Sequence, residues 1–473
     1  MPARKALVLL AAVLGLSAAD ARPLSLLVRD LRTVKDGRCV VFNIGTAAHA
    51  PSSVAQVLKA WPDADVTLWA DAPLEDGYAA MIRRRFPNVG IVWGDLEDPA
   101  QTNAALEAAV RRADALVIGS SSGVFGRVGV SARQFRARTG KPVGALAMGT
   151  PHADMKDYAF AFFRDELAFA NGRKKGWVSP VAGYAPDSVF DFDCRDEAGA
   201  DAFLRSHGLE AGKFVCAIPG TRRTPRWTFW GTEPDERTIA ENAAHVEADH
   251  APLRAAIVEA VRTYGQKVLI CAEQRTELDL IRPYVYDRLP EDVRKSCAVQ
   301  ESFWMPDLAL SVYLRSRLVF GIEMHSQVMA LGSGVPAVLF HHPGFGTKAD
   351  MWRTIGCGDW RVDLTEEGAT KRAVDVVGGI LADPSAAAAR CRAVRAYLDR
   401  SEREMFRLME VKAGLISWGV APFQNVGQVP TIRAAIGFHN RGNISQEEGC
   451  PQSTRAARRF RRAAIVDPPS RPC

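Results

Sequence analysis

The chain has 473 residues, of which 47% are apolar and 8% aromatic. This composition excludes a wholly disordered protein, and the length suits two domains with large cores. Lys and Arg together number 60 against 54 Asp and Glu, and part of the excess is an arginine cluster at 455–462. The rest of the chain is therefore nearly neutral, so we expect no nucleic-acid partner.

The first 21 residues have the pattern of a secretory signal peptide. Arg4 and Lys5 precede an apolar run from Ala6 to Leu16, and the small-residue triplet at 19–21 resembles a cleavage site. The protein is then secreted or periplasmic; an uncleaved anchor or a misassigned start codon are the alternatives, and without a signal it is cytoplasmic. The run is short for a membrane span, so we expect no integral membrane domain after signal removal.

Cysteine and histidine spacing predicts no metal site and no cofactor. The nine cysteines form no Cys-x-x-Cys pair. His341 and His342 are adjacent, which is not the spacing of two ligands on one helix face.

Short apolar strands alternate with helices in the first part of the chain, predicted as a domain over residues 22–205. The expected strands are Cys39–Asn43, Asp65–Trp69, Val89–Trp93, Ala115–Gly119 and Pro142–Leu146, with helices at 53–61, 78–86 and 103–112. Such alternation favours a parallel sheet with helices on both faces.

A second alternating series follows, and it predicts a domain over residues 206–384. Its expected strands are Phe214–Ile218, Lys267–Cys271, Leu318–Gly321 and Ala337–Phe340, with helices at 251–264, 277–288 and 326–332. The fold class predicted is α/β, with two Rossmann-like doubly wound domains that face a cleft. Ligands bind beyond the carboxyl ends of strands in such sheets, so we expect the chemistry in the loops there.

The C-terminal part is predicted as a long helix within residues 385–424 that braces the two domains. From 425 to 473 the composition turns polar and basic with little periodicity, which predicts a disordered tail.

Three segments together resemble the polysaccharide pyruvyl transferase family. The first is the strand and small-residue loop Ala113–Gly123, and the second comprises Arg164-Asp165 and the later Pro186-Asp187-Ser188-Val189-Phe190. The third runs from Gly321 through His325 to Gly332 and continues to Lys348. The resemblance covers roughly residues 40–360 and implies a glycosyltransferase-B-like pair of Rossmann domains.

The resemblance implies transfer of a pyruvyl group from phosphoenolpyruvate to a glycan acceptor, as a ketal. Its proton donor would be His325, because histidine exchanges protons near neutral pH. Arginine suits carboxylate and phosphate because it binds them bidentately. The expected substrate-binding residues are Arg222, Arg223, Glu323, Lys348, Asn43 and Ser121.

Two positions differ from the family pattern. Thr46 stands where the family's Asn-x-Gly-Asp loop has an acidic residue, and Glu323 stands where its Arg-x-His motif has an arginine. Two other functions are therefore kept as alternatives. The cleft suits a glycosyltransferase that uses a nucleotide-sugar, and the same fold suits an exported glycan-binding protein without transfer activity.

Overall fold

The computed structural model describes residues 23–30, 33–98, 101–124 and 126–412. Residues 1–22 and 413–473 lie outside the described residues, and with them the proposed signal peptide and the tail. The first sheet has seven parallel strands in the order β5-β4-β1-β6-β7-β8-β9. These strands are β1 (Ser25–Arg29), β4 (Asp65–Ala70), β5 (Gly90–Trp93), β6 (Ala115–Ile118), β7 (Val143–Met148), β8 (Phe160–Phe163) and β9 (Ala182–Tyr184).

The start of the first domain differs from the prediction. The strand predicted at Cys39–Asn43 does not belong to the first sheet, whose central strand is β1. Part of that segment forms β3 (Arg38–Val40), which pairs with β2 (Thr33–Lys35) in an antiparallel hairpin. Asp36 and Gly37 form its turn with φ of 50° and 74°. An Asp-Gly pair favours such a turn, because glycine adopts positive φ without strain.

The second sheet has six parallel strands in the order β12-β11-β10-β13-β14-β15. These are β10 (Phe214–Ile218), β11 (Lys267–Ile270), β12 (Cys297–Val299), β13 (Val319–Gly321), β14 (Ala337–His341) and β15 (Arg361–Asp363). Numbered within each sheet, both begin in the Rossmann order 3-2-1-4-5-6, whose binding crevice lies where the order reverses. The predicted fold class, two Rossmann-like domains facing a cleft, is confirmed.

Fifteen α-helices lie within the described ranges. They are α1 (Ile44–Ala60), α2 (Asp76–Arg85), α3 (Ala104–Arg112), α4 (Arg127–Thr139), α5 (Glu166–Lys175), α6 (Glu197–Ser206), α7 (Trp227–Trp230), α8 (Glu236–Arg262), α9 (Leu278–Leu280), α10 (Glu291–Arg294), α11 (Pro306–Tyr313), α12 (His325–Gly332), α13 (Met351–Thr354), α14 (Ala369–Ala382) and α15 (Pro384–Lys412). The helix expected at 277–288 is a series of short turns, including a π turn at Ile281–Val285.

The sheets are buried on both faces, as parallel sheets require. In β1, Leu26 and Val28 belong to a cluster that extends through the second domain, while Leu27 faces a second cluster on the other side of the first sheet. The domain boundary at 205/206 stays a prediction; the two sheets are separated by residues 185–213.

Helix α15 contacts elements of both domains. Arg395 forms an ion pair with Asp191, which follows the first sheet, and α15 also packs against α12 and α14 of the second. Its Glu402 bonds Lys59 at the end of α1, with 2.5 Å between carboxylate and ammonium. None of the helices in the described part of the chain is long and apolar enough to span a membrane.

Candidate functional site

The two domains meet through loops at the carboxyl ends of their strands. The amide of Ile44 donates to the carbonyl of Glu273 at 3.0 Å, and the amide of Arg275 donates to the carbonyl of Phe42 at 3.0 Å. Asn43 and Gln274 form the antiparallel bridge between these bonds. Backbone hydrogen bonds therefore join the loop before α1 to the loop after β11, and the titratable side chains of the cleft lie around this junction.

His325 lies at the start of α12, just after β13, where sequence analysis placed it. Its Nδ1 is 3.2 Å from Oε1 of Glu273. The other oxygen of Glu273 accepts from the amide and the hydroxyl of Ser326, at 2.7 and 3.0 Å. Burial alone would raise the pKa of Glu273, but the hydrogen bonds from His325 and Ser326 outweigh burial and lower it. Glu273 is thus an ionised, fully buried carboxylate that orients the imidazole.

Gly45 explains how the first domain approaches this histidine so closely. A Cβ atom at position 45 would lie 2.1 Å from Cβ and 2.3 Å from Cγ of His325. Real atoms do not approach to such distances, so only glycine fits in the first turn of α1. His325 thus packs directly on the backbone of the opposite domain, and its Nε2 is buried without a hydrogen-bond partner among the described residues.

A second histidine, His49 on α1, faces the first. The two imidazole rings have centroids 5.0 Å apart and meet edge to face. Nδ1 of His49 lies 3.1 Å from Oγ of Ser120 and 3.5 Å from Oδ1 of Asp187. Each histidine therefore has one nitrogen near a buried carboxylate, an arrangement that supports proton transfer.

Asp187 connects this histidine to a buried arginine. Oδ2 of Asp187 accepts from Arg164 at 2.6 Å, and Oδ1 accepts from the hydroxyl of Ser120 at 2.8 Å and from the amide of Val189 at 3.1 Å. Burial alone would raise the pKa of Asp187, but the positive charges of His49 and Arg164 outweigh it and hold the pKa far below its usual range. This side of the cleft is a closed ion-pair network.

Two further glutamates lie on the second-domain side. Glu323 accepts from Nε2 of Gln274 at 2.8 Å and shares a hydrogen bond with Glu277. Burial, and then the negative charge of Glu273, raises the pKa of Glu323 to about 7. Burial, and then the negative charge of Glu323, also raises the pKa of Glu277 well above its usual value. Glu323 therefore changes its protonation state near neutrality.

Three other predicted residues lie in the same region. Asn43 caps α1 by accepting from the amide of Thr46 at 2.8 Å, and its Nδ2 donates to Glu273 at 3.3 Å. Ser121 is buried beside Ser120 and bonds within its own loop to Gly123. Lys348 is half-buried; burial, and then the positive charge of Arg164, lowers its pKa. The carboxylates of Glu323, Asp187 and Glu273 attract it from both sides of the cleft.

Arg222 and Arg223 follow β10 as predicted, but their guanidinium groups bind α8. Arg222 forms a bidentate pair with Asp249, both distances being 2.8 Å, and Arg223 pairs with Glu241. An anionic donor would have to replace these carboxylates. Their role as donor ligands stays a prediction, whereas Arg164 and Lys348 lie nearer the two histidines.

His49, Asp187 and His325 are the residues of the cleft that could hold a metal ion, since one ligand atom from each lies within 4.8 Å of the others. Both oxygens of Asp187 already accept hydrogen bonds, one of them from a cationic arginine. A metal would have to displace these donors, so the arrangement favours proton transfer, and the expectation of no metal remains a prediction.

Sequence reasoning missed His49 and Glu273. His49 lies in the first half of a helix whose start was predicted nine residues too late, at 53, so it was not placed at the cleft. Glu273 follows β11 at a carboxyl end, which is a position where chemistry was expected. Arg164 and Asp187 were recognised only as parts of motifs.

No family model matches the chain, and no curated protein matches it. Solved structures resemble it at low identity. An O-GlcNAc transferase mutant from Thermobaculum terrenum matches with a TM-score of 0.44 and 14% identity, over 83% of this chain and 68% of that one. A glycosyltransferase from Rickettsia africae matches with a TM-score of 0.49 and 9% identity, over 84% and 99%.

A third similar structure is the ADP-heptose lipopolysaccharide heptosyltransferase II of E. coli. It matches with a TM-score of 0.46 and 11% identity, over 76% of this chain and 99% of that one. At such identities no reaction carries over from one protein to another, so the function has to be argued from the cleft itself.

Proposed function

We propose that this protein is a glycan-modifying transferase that uses phosphoenolpyruvate to place a pyruvyl ketal on a sugar, with His325 as proton donor. The observation that carries the proposal is that residues far apart in the sequence meet at one place in the structure. The segments that resemble pyruvyl transferases span residues 113–348, yet they meet at one cleft. They contribute Ser121, Arg164, Asp187, His325 and Lys348, and Asn43 joins them from the loop before α1.

The chemistry requires a proton at the donor's methylene carbon. Protonation makes the neighbouring carbon electrophilic, one sugar hydroxyl attacks it, and a second hydroxyl of the same sugar replaces phosphate. Two hydroxyl protons are released: one restores the acid, and the other leaves with phosphate or solvent. His325 is suited to deliver and recover that proton, because Glu273 holds its ring from the opposite nitrogen.

The donor's negative charges need cations, and Lys348 supplies one. Lys348 is half-buried, whereas the positive charge of Arg164 is compensated by its buried pair with Asp187. Desolvated cations interact strongly with an anion, because water screens the interaction less. Glu323 opposes such a donor when ionised, so binding should be stronger below pH 7, where Glu323 is protonated.

A nucleotide-sugar glycosyltransferase is the second candidate, and its support is the crevice between two Rossmann-like domains. In such an enzyme a diphosphate would lie at a helix N-terminus. At the N-terminus of α12 the carboxylate of Glu273 already accepts from the amide and hydroxyl of Ser326, so a diphosphate would have to bind at another helix.

A donor panel tests the proposal. Purified protein is incubated with hexose oligosaccharides and either phosphoenolpyruvate or UDP-, GDP- and ADP-sugars, and phosphate or nucleotide release is measured. We expect acceptor-dependent phosphate release from phosphoenolpyruvate only, reduced by at least about a hundredfold in His325→Asn. His245→Asn, on α8, is the matched control and should keep full activity. Release of a nucleotide instead would replace the proposal with the second candidate, and no turnover with any donor would favour a glycan-binding protein.

A further inference from the structure

Four large aromatic side chains lie beside the cleft; one of them is buried and the other three are half-buried. They are Phe42, before α1, and Trp227, Phe229 and Trp230 of α7, and we call them the aromatic patch. None of the four belongs to either hydrophobic cluster of the described residues. Core packing therefore does not account for three aromatic residues in one four-residue turn.

The patch is built from both domains. The ring of Phe42 lies 4.6 Å from that of Phe229 and stacks on Trp230 at 5.3 Å between centroids. Two cations lie over these rings: Lys35 of the β2–β3 hairpin is 4.6 Å from the Phe229 centroid, and Arg226 is 5.5 Å from that of Trp230. Trp227 is half-buried and makes no ring contact with another described aromatic side chain. Part of its indole ring therefore reaches the surface.

Hydrogen bonds connect the patch to the proposed reactive centre. Phe42 directly precedes Asn43, whose amide donates to Glu273, the partner of His325. On the other side, the hydroxyl of Thr224 donates to Gln274 at 3.2 Å, and Gln274 donates to Glu323. The aromatic patch therefore borders the loop junction around which the acid–base groups lie.

We propose that the aromatic patch binds a sugar ring of the acceptor glycan, with Trp227 as its principal stacking surface. One face of a hexose carries axial C–H groups and is apolar, so it packs on an aromatic ring while the hydroxyl groups stay hydrated or bind polar neighbours. Arg226 and Lys35 supply hydrogen-bond donors at the edge of the patch. This inference rests on the proposed function for the identity of the ligand as an acceptor.

The test measures glycan binding without any donor, so that it does not depend on turnover. Hexasaccharides of glucose, galactose and mannose with free 4- and 6-hydroxyls are titrated by calorimetry into the full chain, its Trp227→Ala and Trp227→Phe variants, and Trp93→Ala. Trp93 is 44% exposed on the edge strand β5, belongs to no contact of the aromatic patch, and is the matched control. Circular dichroism checks that each variant is folded.

We expect at least one glycan to bind, and Trp227→Ala to weaken its binding by about tenfold or more, equivalent to about 1.4 kcal/mol. Trp227→Phe should restore most of the affinity, and Trp93→Ala should leave it unchanged. The inference is overturned when no glycan binds to the wild type, or when Trp227→Ala binds as tightly as wild type. Trp227-dependent binding to anionic phospholipid vesicles, with no glycan bound, also overturns it, because the patch would then contact a membrane.

The two proposals fail in different ways. If glycan binding depends on Trp227 but no phosphate is released from phosphoenolpyruvate, the aromatic patch is a glycan site and the proposed pyruvyl transfer is wrong. Phosphate release with an unchanged acceptor KM in Trp227→Ala rejects the patch and leaves the reaction standing.

Discussion

The two sides of the cleft differ in how the charges of their buried carboxyl groups are compensated. On the first-domain side, Asp187 is ionised and bonded to Arg164 and Ser120, so its charge is compensated within the same domain. On the second-domain side, burial raises the pKa of Glu277 and, with the negative charge of Glu273, brings that of Glu323 to about 7. One side is therefore a fixed ion-pair network, whereas the other has a carboxyl group that titrates near neutrality. We expect the second side to supply the pH dependence of the protein.

Removing the carboxylate of Asp187 should have the largest effect. Asp187→Asn leaves the buried guanidinium of Arg164 without its partner, which typically costs about 3–5 kcal/mol of unfolding free energy. Chemical denaturation at pH 7 measures this cost. The control is Asp292→Asn, because Asp292 pairs with Arg262 on the surface, where solvent screening leaves little net stabilisation. Equal losses in the two variants would contradict a fixed network.

Adding one methyl group at Gly45 should displace His325. Gly45→Ala places a Cβ within 2.1–2.5 Å of three atoms of His325, so either the imidazole or α1 must shift. We expect a loss of about 1–3 kcal/mol in stability from overpacking, and about a hundredfold lower kcat, since a misplacement of about 1 Å costs that much. Stopped assays and thermal unfolding measure the two effects.

The matched control for this change is Gly379→Ala. Gly379 lies inside α14, and a Cβ there would meet no atom within 4 Å. Alanine in a helix interior should stabilise by about 0.5–1 kcal/mol without changing activity. A Gly45→Ala enzyme with normal kcat would show that the close packing of His325 is unnecessary.

Replacing Glu323 with glutamine should remove part of the pH dependence. The pKa of Glu323 is raised above its value in the unfolded chain, so its contribution to stability is present below about pH 4.5 and is lost as pH rises through about 7. Glu323→Gln mimics the protonated form, so it should stabilise the protein by about 1–3 kcal/mol at pH 8 and hardly at all at pH 4.

Unfolding free energies between pH 4 and 8 measure this effect, with Glu291→Gln as control. Glu291 is on the surface and pairs with Lys295 one helical turn away. Glu277 and Glu402 also have raised pKa values, so the variant should reduce the slope of stability against pH without abolishing it. An unchanged slope would mean that folding does not shift the pKa of Glu323.

The smallest effect is expected at Arg223. Its pair with Glu241 is on the surface, so Arg223→Ala should cost about 0–1 kcal/mol, whereas Arg222→Ala leaves the buried Asp249 unpaired and should cost about 1–3 kcal/mol. Paired denaturation curves compare the two. If either variant loses more free energy of donor binding than free energy of unfolding, the substituted arginine contacts the donor.

The fold was predictable to a large degree because hydrophobic strands alternate with helices through both domains. Most central strands were placed within two residues, and His325 was placed at the carboxyl end of β13. The error at Cys39–Asn43 arose because an apolar run before a helix has the same composition whether it forms a strand or a loop. There the Asp36-Gly37 turn, not the run itself, decides the structure.

The site was harder to predict because its contacts join residues far apart in sequence. Glu273 and His325 are 52 residues apart, and His49 and Ser120 are 71 apart. Only the closed domain arrangement shows that these side chains meet, or that Arg222 turns to α8 instead of the cleft. Composition and motif order identify candidate residues, but which of their side chains contact one another depends on tertiary packing.

The close contact between Gly45 and His325 has a consequence for the order of events in a catalytic cycle. Nε2 of His325 is sealed from solvent while α1 of one domain covers the ring held by the other. In the proposed reaction, a substrate would reach this nitrogen only when the two domains move apart, and His325 would be shielded from bulk water at other times. Opening of the domains would then limit turnover, so turnover would fall as solvent viscosity rises.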